Sequence, residues 1–173
     1  MGNRIHIMGI TLGLLTFAAV SVSFGAGNRT EDPEEEMVIE GLGFDQTAKT
    51  PVVLLADKKM GAILPIWVGL CEARSIEIGL SGIVPPRPLT YDMIAAMVRT
   101  MKADVIKIVI TDIRDRVYYS QVVMSVGGKI SKIDARPSDA LALATRMKSP
   151  IYVKKSVIEK AALIDSDVVR QEL

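Results

Sequence analysis

Ile133-Asp134-Ala135-Arg136-Pro137-Ser138-Asp139-Ala140-Leu141-Ala142-Leu143-Ala144 runs from the end of a strand straight into an amphipathic helix. Pro137 suits the first helical position, because its ring fixes φ near the helical value and its missing N–H would go unpaired there anyway. Ser138 and Asp139 then fall in the first turn, where free backbone N–H groups and the positive end of the helix dipole favour oxygen ligands. Two carboxylates (Asp134 and Asp139), the Arg136 guanidinium and the Ser138 hydroxyl are thus gathered around one helix start. A well-specified strand-to-helix junction needs nothing further. A seat for a metal ion or a phosphate would use the same groups.

Working outward from this junction, strands are expected at 38–44, 52–56 and 62–68, then a helix over 71–80 with Ile76 and Leu80 on one face. Pro85-Pro86-Arg87-Pro88 reads as a stiff extended connection. Thr90 is expected to cap a second helix reaching about Lys102, whose apolar face includes Met93, Ile94, Met97 and Met101. Strands follow at 105–113, 117–126 and 130–134, the last two joined by Gly127-Gly128. After the helix that starts at Pro137 come a short strand at 151–153 and a helix near 156–163. The two halves align at a constant offset of 67 residues, which takes Asp45 to Asp112, Gly61 to Gly128 and Glu72 to Asp139. The expected architecture is one α+β domain with a mixed, mostly antiparallel sheet, built from two βββα-like pseudo-repeats whose sheets pack together.

Asp134-Ala135-Arg136-Pro137-Ser138-Asp139-Ala140 resembles the signature of the bifunctional nuclease domain family. Leu64-Pro65-Ile66-Trp67-Val68-Gly69 with Glu72-Ala73, Pro85-Pro86-Arg87-Pro88-Leu89-Thr90, and Val109-Ile110-Thr111-Asp112 agree with it in order and spacing. The resemblance covers about Met37 to Leu163 and implies a small α+β domain associated with DNase and RNase activity. Relatives commonly carry His where this chain has Tyr91, a departure that bears on activity if that His contributes to catalysis.

The amino terminus reads differently from the rest. Arg4 precedes an apolar run from Ile5 to Val22 and then small residues, the layout of a secretory signal peptide over residues 1–25. An uncleaved membrane anchor is the alternative. Residues 26–36 form an acidic linker, 37–165 the domain and 166–173 a tail. Export to the periplasm or the medium is expected, with no stable membrane association once the signal is removed. The single cysteine, Cys71, excludes an intramolecular disulfide and reads either as a reactive thiol or as a small buried hydrophobe. The only histidine, His6, lies in the signal, so imidazole chemistry is excluded from the mature protein. Between Met37 and Ala162 there are 18 Lys and Arg against 12 Asp and Glu, an excess compatible with a polyanionic ligand.

Hydrolysis must then use carboxylates with a divalent metal, or Lys, Tyr and Arg. The expected catalytic residues are Asp134, Asp139 and Glu72. Asp134, Asp139 and Asp112 are the expected ligands of magnesium or manganese, with Asp115 a further option, since hard cations take oxygen donors. Arg136, Ser138, Arg87, Arg74 and Tyr91 are expected to hold nucleic acid, chiefly through phosphate and with little sequence preference. The other reading is a non-catalytic module that assembles as a homo-oligomer, using Ala62–Trp67 as an apolar surface and Trp67 as its anchor. No P-loop, dinucleotide-binding glycine pattern, nucleophile elbow or paired-cysteine zinc site occurs.

Overall fold

Three strands and a helix are laid down twice along the chain. The structure is a computed structural model that describes residues 32–58 and 61–162. β1 (Glu34–Asp45), β2 (Thr50–Asp57) and β3 (Ile63–Trp67) lead into α1 (Leu70–Ser81), and α2 (Thr90–Thr100) follows. β4 (Ala103–Arg114), β5 (Val117–Val126) and β6 (Lys129–Ala135) lead into α3 (Pro137–Met147), then β7 (Ile151–Lys154) and a helix α4 over residues 155–162. The fold class is the α+β arrangement expected. Residues 1–31, which carry the expected signal and most of the linker, and the tail beyond 162 lie outside the described residues.

All seven strands belong to one sheet in the order β3-β2-β1-β7-β4-β5-β6. Neighbours are antiparallel except β4 and β7, which run parallel where Ile108–Ile110 faces Ile151–Val153. This corrects the expectation of two packed sheets. β7 hydrogen-bonds β1 on one side and β4 on the other, so the edge each three-stranded meander would leave open is paired within a continuous sheet. The acidic run is corrected as well. Glu34–Glu36 are strand residues paired with β7, and Lys107 and Lys58 neutralise Glu34 and Glu36.

Leu55, Ile76, Ile108, Ile110, Leu141 and Val153 have no exposed surface and mark the centre of the core. α3 is the most enclosed helix, with Ala140–Ala144 all buried, and its alanines let α1 and α2 approach it closely. Two expected helix faces turn out differently. In α1 the inner residues are Ala73, Ser75 and Ile76, while Leu80 is half exposed. In α2 the buried residues are Ala95 and Val98, backed by Tyr91 and Ile94, so Met93, Met97 and Met101 stand in solvent at 54–58 % exposure. The row 91, 94, 95, 98 has helical spacing too, and small Ala95 fits the tight crossing better than a methionine. Leu89, not Thr90, is the N-cap of α2, and its N–H is held by Asp92 at 2.9 Å.

Gly79 lies where α1 packs tightly against α3. A Cβ there would sit 2.6 Å from both Arg146 Nη1 and Thr145 Cβ. In an open helix Gly→Ala gains up to about 1 kcal/mol. Here overpacking reverses the sign, and Gly79→Ala is expected to lose about 1–3 kcal/mol, read from the urea midpoint at unchanged m-value.

Candidate functional site

The starts of α1 and α3 lie side by side, and Arg136 joins them. Gly69 and Arg136 are the N-caps, both extended (ψ 157° and 144°). Glu72 and Asp139 are therefore the third residues of their helices, aligned with the dipoles. Ser120, fully buried in β5, donates its hydroxyl to the Ala135 carbonyl at 2.6 Å and fixes the end of β6 just before the junction. From there Arg136 reaches both acids. Nε donates to Asp139 Oδ2 at 2.7 Å, while Nη2 donates to Asp139 Oδ1 at 2.9 Å and to Glu72 Oε1 at 3.0 Å. Tyr91, from the first turn of α2, donates its hydroxyl to Asp139 Oδ1.

These side chains line a cleft of about 1070 Å³ together with Arg74, Ser75, Cys71 and the Pro88–Thr90 segment. Burial opposes ionisation of Asp139, but the hydrogen bonds from Arg136 and Tyr91 outweigh it and hold the carboxyl below the usual range. Burial and the bond to Asp139 push the Tyr91 phenol well up, so it stays a neutral donor. The bonds to Asp139 and Glu72 raise the Arg136 guanidinium further, leaving it fully charged. Both Asp139 oxygens are occupied. Glu72 is engaged at Oε1 only, with Oε2 folded back against Gly69, where no Cβ would fit beside it.

The other expected site residues are scattered. Arg74 lines the cleft but pairs with Glu77 at 2.6 Å. Arg87 is exposed in the connection before α2, and Ser138 is buried beside a neighbouring concavity. Asp134 is exposed on β6; strand alternation puts it on the opposite face from Ile133 and Ala135, which pack toward α2 and α3. Asp112 lies elsewhere, holding Lys160 at 2.7 Å and Arg114 at 2.6 Å, and Asp115 sits in the β4–β5 turn. The structure therefore does not bring Asp134, Asp139 and Asp112 together, and among the described residues no group of three His, Cys, Asp or Glu could hold a metal ion. Cys71 is exposed in the cleft, which corrects its reading as a buried hydrophobe.

Sequence reasoning missed Arg146. Its side chain is 7 % exposed behind Tyr91, with its guanidinium carbon 6.0 Å from the ring centroid. Nε donates to Asp92 at 3.1 Å, and Nη1 donates to the Ser75 carbonyl. One guanidinium thus ties α3 to both α1 and α2. An Arg in the last turn of an alanine-rich helix carries no local sign of this role, because helix C-termini favour basic residues anyway.

The charge arrangement has a pH consequence. Asp139, Asp92 and Asp112 are all held below the ordinary value of 3.8, Asp112 most strongly through its bonds from Lys160 and Arg114. Carboxylates depressed on folding contribute fully above their unfolded value and lose that contribution as pH falls through the folded one. The melting temperature is thus expected to be flat above about pH 5 and to fall below about pH 4. Asp112→Asn should lower the plateau and make the acid limb shallower.

The family model of the bifunctional nuclease domain matches residues 52–166, which span β2 to the end of α4 and include every residue of the cleft. A Mycobacterium tuberculosis protein described as uncharacterized is 34% identical over 137 residues, covering 79% of this chain and 82% of that protein. Bifunctional nuclease 1 of Arabidopsis thaliana is 30% identical over 114 residues, covering 64% of this chain and 35% of the plant protein. Bifunctional nuclease 2 of the same plant is 31% identical over 107 residues, covering 60% and 32%. With six of its seven strands, its Arg136 junction and its cleft inside the matched region, the chain belongs to the bifunctional nuclease domain family.

Proposed function

We propose that this chain hydrolyses phosphodiester bonds of nucleic acid in the cleft formed by α1, α2 and the start of α3. The observation that carries the reading is Arg136, a fully charged fork that is 68 % exposed yet held between Glu72 and Asp139. Nε and Nη2 are already engaged by the two acids, so a phosphodiester entering the cleft meets the Nη1 amino group, whose two N–H groups donate to its phosphate oxygens. Arg136 then neutralises the charge that grows on those oxygens as water attacks phosphorus. Glu72, with Oε2 free of other donors, takes the proton from that water as the new P–O bond forms. The ester P–O bond breaks, and the leaving alkoxide takes a proton from solvent. Asp139, with both oxygens engaged, positions Arg136 and Tyr91 and is not the base. The names of the plant relatives support the substrate class.

A magnesium or manganese ion commonly takes one or two protein carboxylates and completes its shell with water and substrate phosphate. Here Glu72 and Asp139 both already accept from Arg136, and no third carboxylate joins them among the described residues. In the reading proposed here Arg136, rather than a metal ion, supplies the positive charge opposite the phosphate.

The test is hydrolysis of single- and double-stranded DNA and RNA by the purified chain, with added magnesium or manganese and with chelator. Cleavage is expected to survive chelator, and Cys71 should be shielded from maleimide by a non-hydrolysable oligonucleotide. Activity abolished by chelator would instead seat a cation at Glu72 and Asp139 and correct the role given to Arg136. No cleavage of any of the four polymers, with metal or without, sinks the reading.

The second reading, a homo-oligomeric module, has its own observation. Met93, Met97 and Met101 form an exposed stripe on α2, and Ile63 and Trp67 are exposed on the edge strand β3. Under this reading Met97→Lys is expected to reduce the mass measured by light scattering to that of one chain. A monomeric parent protein would remove this alternative.

A further inference from the structure

Arg136 also lines a second concavity, of about 290 Å³, with Trp67, Gly69, Arg116, Pro137 and Ser138 among its walls. Three features of its walls stand out. Trp67 is 46 % exposed, unusual for so large an apolar side chain, and its edge is fixed by a hydrogen bond from Nε1 to Asp45 Oδ2 at 2.8 Å. Ser138 is only 8 % exposed, yet its hydroxyl has no hydrogen-bond partner among the described residues. Its backbone N–H is left over too, since the N–H groups of Asp139 and Ala140 both close on the Arg136 carbonyl at 3.0 Å. Arg116 stands in the β4–β5 turn with φ 63° and pairs with no described carboxylate.

An unpaired hydroxyl and N–H at a helix start, beside an unpaired arginine, form a seat for an anion. An indole held by its edge with its surface open offers a platform for a flat ring. A phosphate with a base attached satisfies both at once, and the base can reach the indole only when it is not already stacked in a duplex. We propose that this concavity is a subsite for single-stranded nucleic acid, with one phosphate at Ser138 and Arg116 and its base stacked on Trp67. The strand then passes Arg136 into the cleft. This rests on the hydrolase reading for what happens next door, but it does not need that reading in order to bind.

Trp67 is the only tryptophan in the chain, so its fluorescence reports on this subsite alone. The probe is a phosphorothioate oligothymidylate, titrated into the full chain at several salt concentrations, with the matching duplex and inorganic phosphate as separate arms. Saturable quenching is expected with the single strand and little with the duplex, while phosphate alone competes weakly. By anisotropy of a labelled oligomer, Trp67→Ala should weaken binding about tenfold and Trp67→Phe much less. Arg116→Gln should lower the slope of log affinity against log salt by about one phosphate contact. Binding without quenching, equal quenching by duplex, or unchanged affinity in Trp67→Ala overturns the proposal. So does a spectral change that follows protein concentration without nucleic acid, which would assign the indole to self-association. Cleavage that ignores Trp67 defeats the subsite and leaves the hydrolase reading standing. Quenching without cleavage does the reverse.

Discussion

Arg146→Met is expected to lower the unfolding free energy by about 2–4 kcal/mol while leaving the secondary structure unchanged. The side chain fills space between three helices at 7 % exposure, and the long unbranched methionine would preserve most of the packing. Its bonds would go: Nε to Asp92 at 3.1 Å, Nη1 to the Ser75 carbonyl, to Ala142 O at 3.3 Å and to Thr145 Oγ1 at 3.1 Å. Breaking a fully buried ion pair costs about 3–5 kcal/mol because a charge is left without compensation. The cost is smaller here because Asp92 is 26 % exposed and still caps the Leu89 N–H. Arg146→Lys should not restore the loss, since a single ammonium cannot serve Asp92 on α2 and the Ser75 carbonyl on α1 with one fork geometry. Urea unfolding of both variants is the measurement. Wild-type midpoints would show that the three helices hold together without this clamp.

The second large effect falls on activity. Arg136→Gln is expected to lower kcat/KM on a nucleic-acid substrate by about 10²–10³, the range seen when one preorganised donor to a developing negative charge is removed. Stability should change by less than about 1 kcal/mol, because Arg136 is 68 % exposed and its ion pairs are screened by solvent. Arg136→Lys keeps the charge but loses the fork, so it should recover only part of the rate. Asp139→Asn should slow the reaction less and act through Arg136 and Tyr91, whose positions it holds. Its profile of rate against pH should keep its shape, because the proton is taken by Glu72. An Arg136→Gln protein as fast as the parent would move the chemistry out of this cleft.

The conservative features of the fold were legible along the chain for a local reason. Strands such as Val117–Val126 announce themselves through β-branched and aromatic runs. The α3 start announces itself through Pro137, and the β5–β6 hairpin through Gly127 and Gly128, both at positive φ. Helix faces were harder. α2 carries two apolar rows, and periodicity cannot tell the row that meets α3 from the row of methionines left in water. Arg146, Gly79 and the unpaired Ser138 hydroxyl were invisible for a related cause: each is defined by what another element brings to it.

The amino-acid order by itself determined the βββα succession, the helix starts that present Glu72 and Asp139 in their first turns, and the absence of histidine from residues 37–162. These follow from φ preferences, capping and composition, which act over a few residues. Only the tertiary structure decided that β7 joins the halves into one sheet, and that Glu72 and Asp139 converge on Arg136 while Asp134 and Asp112 stay away. Strand order and helix crossing depend on burying both meanders around one core, and residues 67 positions apart meet only when that burial is complete.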